Sequence, residues 1–125
     1  MPLTKKIKRV NAKPNNGQLY QDFASGTIFQ AFDDEYREYY RAEGFTAPPS
    51  GTVNISGSDA NPPDYVITAR ILLANDLADY LSVEGSQGKS RSYKEGIKSV
   101  EIKGLSPDQS ATGSGFYSLN LFRRA

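Results

Sequence analysis

Asn61-Pro62-Pro63-Asp64 constrains this chain more than any other segment. Asn61 can cap the start of a helix, the prolines fall where a missing N–H costs nothing, and Asp64 lies in the first turn against the helix dipole. The pattern predicts a helix from about 62 to 81. Val66, Leu73, Leu77, Tyr80 and Leu81 form one apolar stripe on it, and Ile67, Ile71, Ala74 and Ala78 form an adjacent one. Together they cover well over half the circumference, more than a helix wet on one side needs. The helix therefore reads as the centre of the domain or as a contact with a neighbouring subunit, with Val66, Ile67, Ile71, Leu73, Leu77 and Tyr80 as packing residues.

A second helix is expected over 27–43. Thr27 and Gln30 make a capping box, Ile28, Phe29, Phe32, Tyr36, Tyr39 and Tyr40 follow on one face, and Gly44 stands where a left-handed residue would close it. Arg37 and Arg41 are spaced to pair with Asp33 and Glu38. Pro, Gly and Ser make 45–61 a loop, with a short strand feasible over 52–55. Glu95-Gly96 can turn a β-hairpin over 90–103, in which Val100 and Ile102 alternate with Ser99 and Glu101. The fold class expected is thus α+β, a small, mainly helical domain with two principal helices, a β-hairpin and extended N- and C-terminal arms. Its parts are a basic arm over 1–26, the domain proper over 27–103, and a linker with a C-terminal docking tail over 104–125. The chain's 125 residues suit one domain that buries about two-thirds of its unfolded surface.

The sequence contains neither cysteine nor histidine. Disulfide scaffolds, Cys/His zinc sites, thiol nucleophiles and imidazole bases are excluded together. Gly85-Ser86-Gln87-Gly88-Lys89-Ser90 has the look of a phosphate loop but lacks the glycine spacing and the strand-to-helix context of one. Asp33-Asp34-Glu35 would fan around a helix rather than converge on a cation, and Asp76 and Asp79 read as charges on a wet edge. No catalytic residue, metal site or cofactor is assigned, and an enzyme is the least supported class. No apolar run is long enough to span a bilayer and no secretory signal is evident, so a soluble protein made inside a cell is expected.

The net charge of +1 hides a segregation along the chain. Residues 1–21 carry Lys5, Lys6, Lys8, Arg9 and Lys13 and no acid; residues 22–87 are acidic, with Arg37, Arg41 and Arg70 as their only bases; residues 88–125 are basic again. The basic ends suit contact with DNA or with the acidic body of a neighbouring copy. Tyr36, Tyr39 and Tyr40 could stack bases, although their spacing fits a buried face better. Phe116, Tyr117, Leu119, Leu121 and Phe122, with Arg123 and Arg124 behind them, look like an apolar tail that docks by strand addition on its own sheet or on a partner.

From Pro62 onward the chain resembles the tailed-phage head–tail connector (adaptor, head-completion) family. The residues that carry the resemblance are Pro62, Pro63, Val66, Ala69, Leu72, Leu73 and Ala74, followed by the segment from Ser92 to Ile102. The resemblance implies a structural virion protein of the neck region, assembled in the host cytoplasm. It implies a homo-oligomeric ring, commonly dodecameric, seated between portal and tail or neck proteins, with tails reaching the portal and DNA passing through the lumen unread. The competing classes are a small nucleic-acid-binding protein using its basic termini, and another phage tail or baseplate subunit.

Overall fold

In the computed structural model, residues 19–43 and 47–124 are described, and they form eight strands: β1 (Leu19–Ala31), β2 (Arg37–Arg41), β3 (Ser50–Gly57), β4 (Val66–Leu73), β5 (Ala78–Glu84), β6 (Gly88–Tyr93), β7 (Ile97–Leu105) and β8 (Thr112–Arg124). Sheet A has the order β1-β8-β3-β6 and sheet B the order β2-β7-β4-β5. Every neighbouring pair is antiparallel. The chain crosses between the sheets at every connection except the β4–β5 hairpin, and this winding defines a jelly roll.

Alternation explains the strands. Along β4, Ile67, Ala69, Ile71 and Leu73 are buried while Val66, Thr68, Arg70 and Leu72 are half-buried on the other side. That is a period of two, in a segment whose β-branched residues favour a pleated surface. The inward residues of sheet A, among them Ile28, Val53, Ile55, Leu119 and Leu121, meet those of sheet B, including Leu81, Val83, Ile97, Val100 and Ile102. Each such side chain contributes about 1.5–3 kcal/mol when fully enclosed. At the end where β1 passes to β2, the Phe32 ring lies 5.2 Å from that of Tyr65 and is pressed on the backbone of Gly104 and Gly113.

The two principal helices are absent: among the described residues the fold is all-β, not α+β and mainly helical. Asn61 caps no helix. Its side chain instead holds β8, with Nδ2 donating to the Ser114 carbonyl at 2.6 Å and Oδ1 accepting from the Ser114 N–H at 3.1 Å. Ala74 to Leu77 then turn the chain, with Asp76 left-handed at φ 67° and Asn75 Oδ1 accepting the Leu77 N–H. The excess of apolar surface on the helical wheel was the trace of a strand whose outward residues are themselves half-covered. Thr27 and Gln30 form no capping box: Thr27 is exposed, and Gln30 is buried, donating to the Ile102 carbonyl and accepting from the Tyr39 hydroxyl.

Glu95-Gly96 turns no hairpin: the chain bends at Lys94 and Glu95, and β6 and β7 do not pair with each other. β6 joins β3 in sheet A, and β7 lies between β2 and β4 in sheet B. The C-terminal segment is no free arm, because β8 is an inner strand pairing with β1 over thirteen residues and with β3 on its other side. Residues 1–18, which include most of the expected basic arm, lie outside the described residues.

Candidate functional site

A jelly roll leaves four edge strands, and three of these are protected. β2 has five residues, is bulged between Glu38 and Tyr40, and carries Arg37, Glu38 and Arg41. The β5 and β6 edges are tied together across the sandwich: Arg91 Nη1 and the Tyr93 hydroxyl both donate to Asp79 Oδ2 at 2.7 Å. Burial, with Asp79 beside it, pushes the Tyr93 hydroxyl well above the usual range, and Arg91 holds the Asp79 carboxyl below its own.

β1 differs from these three. It pairs with β8 in one unbroken register from Leu19 to Ala31, and among the described residues no strand pairs with its other side. Neither lysine, arginine nor proline occurs in it, and Asp22 is its single charged residue. The Phe32 N–H donates to the Ala111 carbonyl in continuation of the same register. In an antiparallel ladder this places the even-numbered residues of β1 in hydrogen bonds with β8, while the N–H and C=O groups of Gln21, Phe23, Ser25 and Thr27 point to the open edge; farther along, the Phe29 N–H faces the Tyr39 hydroxyl and the Ala31 carbonyl accepts from Arg37 Nη1 at 3.5 Å. Close beside it, between β1 and β2, the Tyr40 hydroxyl is buried without a hydrogen-bond partner, and burial raises its pKa.

The outward faces of the two sheets differ in chemistry. On sheet B, Arg70 pairs with Glu101 at 2.6 Å and stacks over the Tyr36 ring at 4.0 Å, and Lys103 pairs with Asp34 at 2.7 Å. Arg37 pairs with Asp33 at 2.8 Å and holds its carboxyl at about 2. The outward side of sheet A presents serine, threonine, asparagine and phenylalanine. A shallow groove of about 410 Å³ crosses it beside Phe116.

The expected subunit-packing residues separate. Ile67, Ile71 and Leu73 are in the chain's own core and Val66 is half-buried, whereas Leu77 and Tyr80 are 64% and 53% exposed at the β4–β5 hairpin. Of the expected docking tail, Leu119 and Leu121 are core, Tyr117 and Phe122 are half-buried, and Phe116 is exposed. Arg123 and Arg124 end β8, and the side chains of both lie outside the described ones, as do Lys5, Lys6, Lys8, Arg9 and Lys13. The spacing of Arg37 to Asp33 and of Arg41 to Glu38 was right, although the pairs lie on a turn and a strand. What sequence reasoning missed is β1: Gln21, Phe23, Ser25, Thr27 and Phe29 alternate with Asp22, Ala24, Gly26 and Ile28, a period-two signal across the boundary drawn at Thr27. Among the described residues no cluster of acids is arranged to hold a metal ion, and no helix is long and apolar enough to cross a membrane.

No protein-family model matches the sequence, and no curated protein matches it. Similarity is found among solved structures. A chain from Bacillus endospore appendages, described as a novel family of disulfide-linked pili, superposes with a TM-score of 0.68 at 11% identity, covering 94% of this chain and 97% of that one. FlhE, known from a crystal structure, gives 0.42 at 9% identity over 86% of this chain and 98% of its own. The capsid asymmetric unit of cyanophage Pam1 gives 0.42 at 13% identity over 92% and 93%. At such identities the appendage chain shares the fold, and the fold is what the likeness establishes.

Proposed function

We propose that this chain is a structural subunit that assembles with copies of itself by strand addition at the β1 edge. The observation that carries the reading is the edge itself, thirteen residues long, regular, almost uncharged and, among the described residues, without a strand on its outer side. Such an edge is a template for another strand unless the protein covers or blunts it, and the other three edges here are blunted. The shared fold with a pilus chain supports the same class. The present sequence has no cysteine, so its assembly is held by backbone hydrogen bonds and packing rather than by disulfides.

The narrower role of a ring-forming connector between phage portal and tail is one form of such an assembly. The residues that suggested it, Pro62 to Ala74 and Ser92 to Ile102, lie in loops and in β4, β6 and β7 rather than in a helix and hairpin. The β1 edge is therefore its remaining support, and co-sedimentation with a portal ring is its test. For a nucleic-acid-binding protein the described residues offer little, since the described outward side chains of sheet A are uncharged and sheet B has its arginines paired.

The test of the general reading is sedimentation and electron microscopy of the full chain beside Ser25→Pro. The Ser25 N–H faces the open edge, so proline there removes no bond to β8 and blocks the added strand. Ordered assemblies of the wild type that disappear in Ser25→Pro, with an unchanged circular dichroism spectrum, are expected. A wild type that forms no ordered assemblies at high concentration, or a proline variant that assembles equally well, refutes strand addition at β1.

A further inference from the structure

Cross-strand register sorts the outward side chains of sheet A into rows. Thr27, Phe116, Ser56 and Gly88 make one row; Ser25, Ser118, Asn54 and Ser90 the next; Phe23, Asn120, Thr52 and Ser92 a third. Phe29 and Ser114 stand beyond the first row, and Gln21, Phe122 and Ser50 beyond the third. None of these residues is charged, in a chain that is 23% charged. Phe23 and Phe29 are 71% and 72% exposed and Phe116 58%. Beside Phe116 the groove is floored by Asn54, Ser56, Ser90 and Ser118, and Lys89, the register partner of inward Ile55, borders it. Small side chains make the hollow and phenylalanines stand proud of it.

From this arrangement we infer that the outward face of sheet A packs against the same face of a second copy, in a two-fold contact that seats exposed phenylalanines of each chain on the small polar side chains of the other. The inference goes beyond strand addition and rests on that reading for the identity of the partner. Charge selects the occupant. Burying this face against the outward side of sheet B would strip water from Arg70, Glu101 and Lys103, whereas two copies of these uncharged rows meet without desolvating an ion of their own. Size agrees as well. Strands about 4.8 Å apart, rising about 3.3 Å per residue, give this sheet roughly 600–700 Å² before side-chain relief, near the ~800 Å² per partner of a stable interface. The alternation of aromatic rings with hydroxyl and amide groups also matches the usual composition of an interface core.

The two contacts separate by mutation of the full chain, read by sedimentation velocity. With the edge closed by Ser25→Pro, the face contact alone should leave a discrete dimer. Adding Ser118→Glu, which places a carboxylate at the centre of the face, should weaken that dimer about tenfold or more, since it buries an unpaired charge. Ser90→Glu, on an exposed side chain of the same row, provides the same reading should Ser118→Glu fail to fold. Ser118→Glu with Ser25 intact should still assemble, but in single layers. A wild type that yields only dimers sensitive to Ser118→Glu overturns strand addition and leaves the face contact standing. A wild type that assembles while Ser25→Pro is monomeric overturns the face contact and leaves strand addition standing. A glutamate variant that dimerises like its parent overturns the face contact. Retention of Ser25→Pro as a monomer on immobilised neutral polysaccharide, lost with Ser118→Glu, overturns it too and assigns the face to glycans.

Discussion

Phe32 is fully buried where the two sheets meet at the β1–β2 end, and two glycines shape its slot. A methyl group on Gly104 would lie 2.1 Å from the ring, and one on Gly113 2.2 Å from it. Phe32→Ala should therefore cost about 3–5 kcal/mol, the range for emptying a buried aromatic site. Gly113→Ala should cost about 1–3 kcal/mol or more, because the ring must leave its place to admit the methyl. The two changes should not add. With the ring gone, the methyl projects into the vacated space, so the double variant should be more stable than the sum of the single costs implies by roughly 1–3 kcal/mol. Urea unfolding followed by far-ultraviolet circular dichroism and by tyrosine fluorescence measures this, since the chain has eight tyrosines and no tryptophan. The series belongs in the doubly substituted Ser25→Pro, Ser118→Glu background, so that neither the edge nor the face contact adds to apparent stability. Costs that add to within about 0.5 kcal/mol would falsify the placement of the ring against β7 and β8.

Asn61→Ala should destabilise by about 1–3 kcal/mol in the same assay, because it strands the Ser114 N–H and takes one of two donors from the Ser114 carbonyl, which keeps the Ser58 N–H. Tyr40→Phe removes a buried hydroxyl that has no partner, and it should be neutral or stabilising by up to about 1 kcal/mol; a clear loss of stability would show that the hydroxyl is bonded in solution. The carboxyl of Asp33, at about 2, and those of Asp76, Asp79 and Asp108, all lowered, bind protons more weakly folded than unfolded. Their stabilisation is complete above the ordinary aspartate value near 4 and is lost as pH falls from there toward 2. With no histidine present, the unfolding midpoint should be flat from about pH 5 to 9 and drop below about 4, and a step near neutrality would contradict this.

Local chemistry was legible wherever it depends on near neighbours. Asp33 and Arg37 meet, and the break expected at Gly85-Ser86-Gln87-Gly88 does lead from β5 into β6, whereas Asn61 to Asp64 connects strands instead of starting a helix and the linker expected over 104–115 includes the end of β7 and the start of β8. The period was misread because aliphatic residues are dense. In Val66 to Leu73 they stand at both helical and strand spacings, and only a neighbouring sheet decides which set is covered. Asn61 shows the same ambiguity in one side chain. Its amide suits a helix cap as well as it suits Ser114, and the backbone that reached it came from 53 residues away.

The sequence by itself determined what chemistry this protein cannot use, through its missing thiols and imidazoles. It also contained, in the alternation from Gln21 to Phe29, one uncharged and one core-facing side of β1. Only the tertiary structure decided that β1 is an edge, that Ser118 and Ser90 share a row with Ser25, and that the C-terminal apolar segment is an inner strand. The reason is physical. A helix closes its hydrogen bonds within a few residues, whereas a strand has none until a distant partner arrives, and Leu19 finds its partner at Arg124. Which edges stay open, and which faces stay uncovered, is therefore settled by the assembled sheet rather than by any window of the sequence.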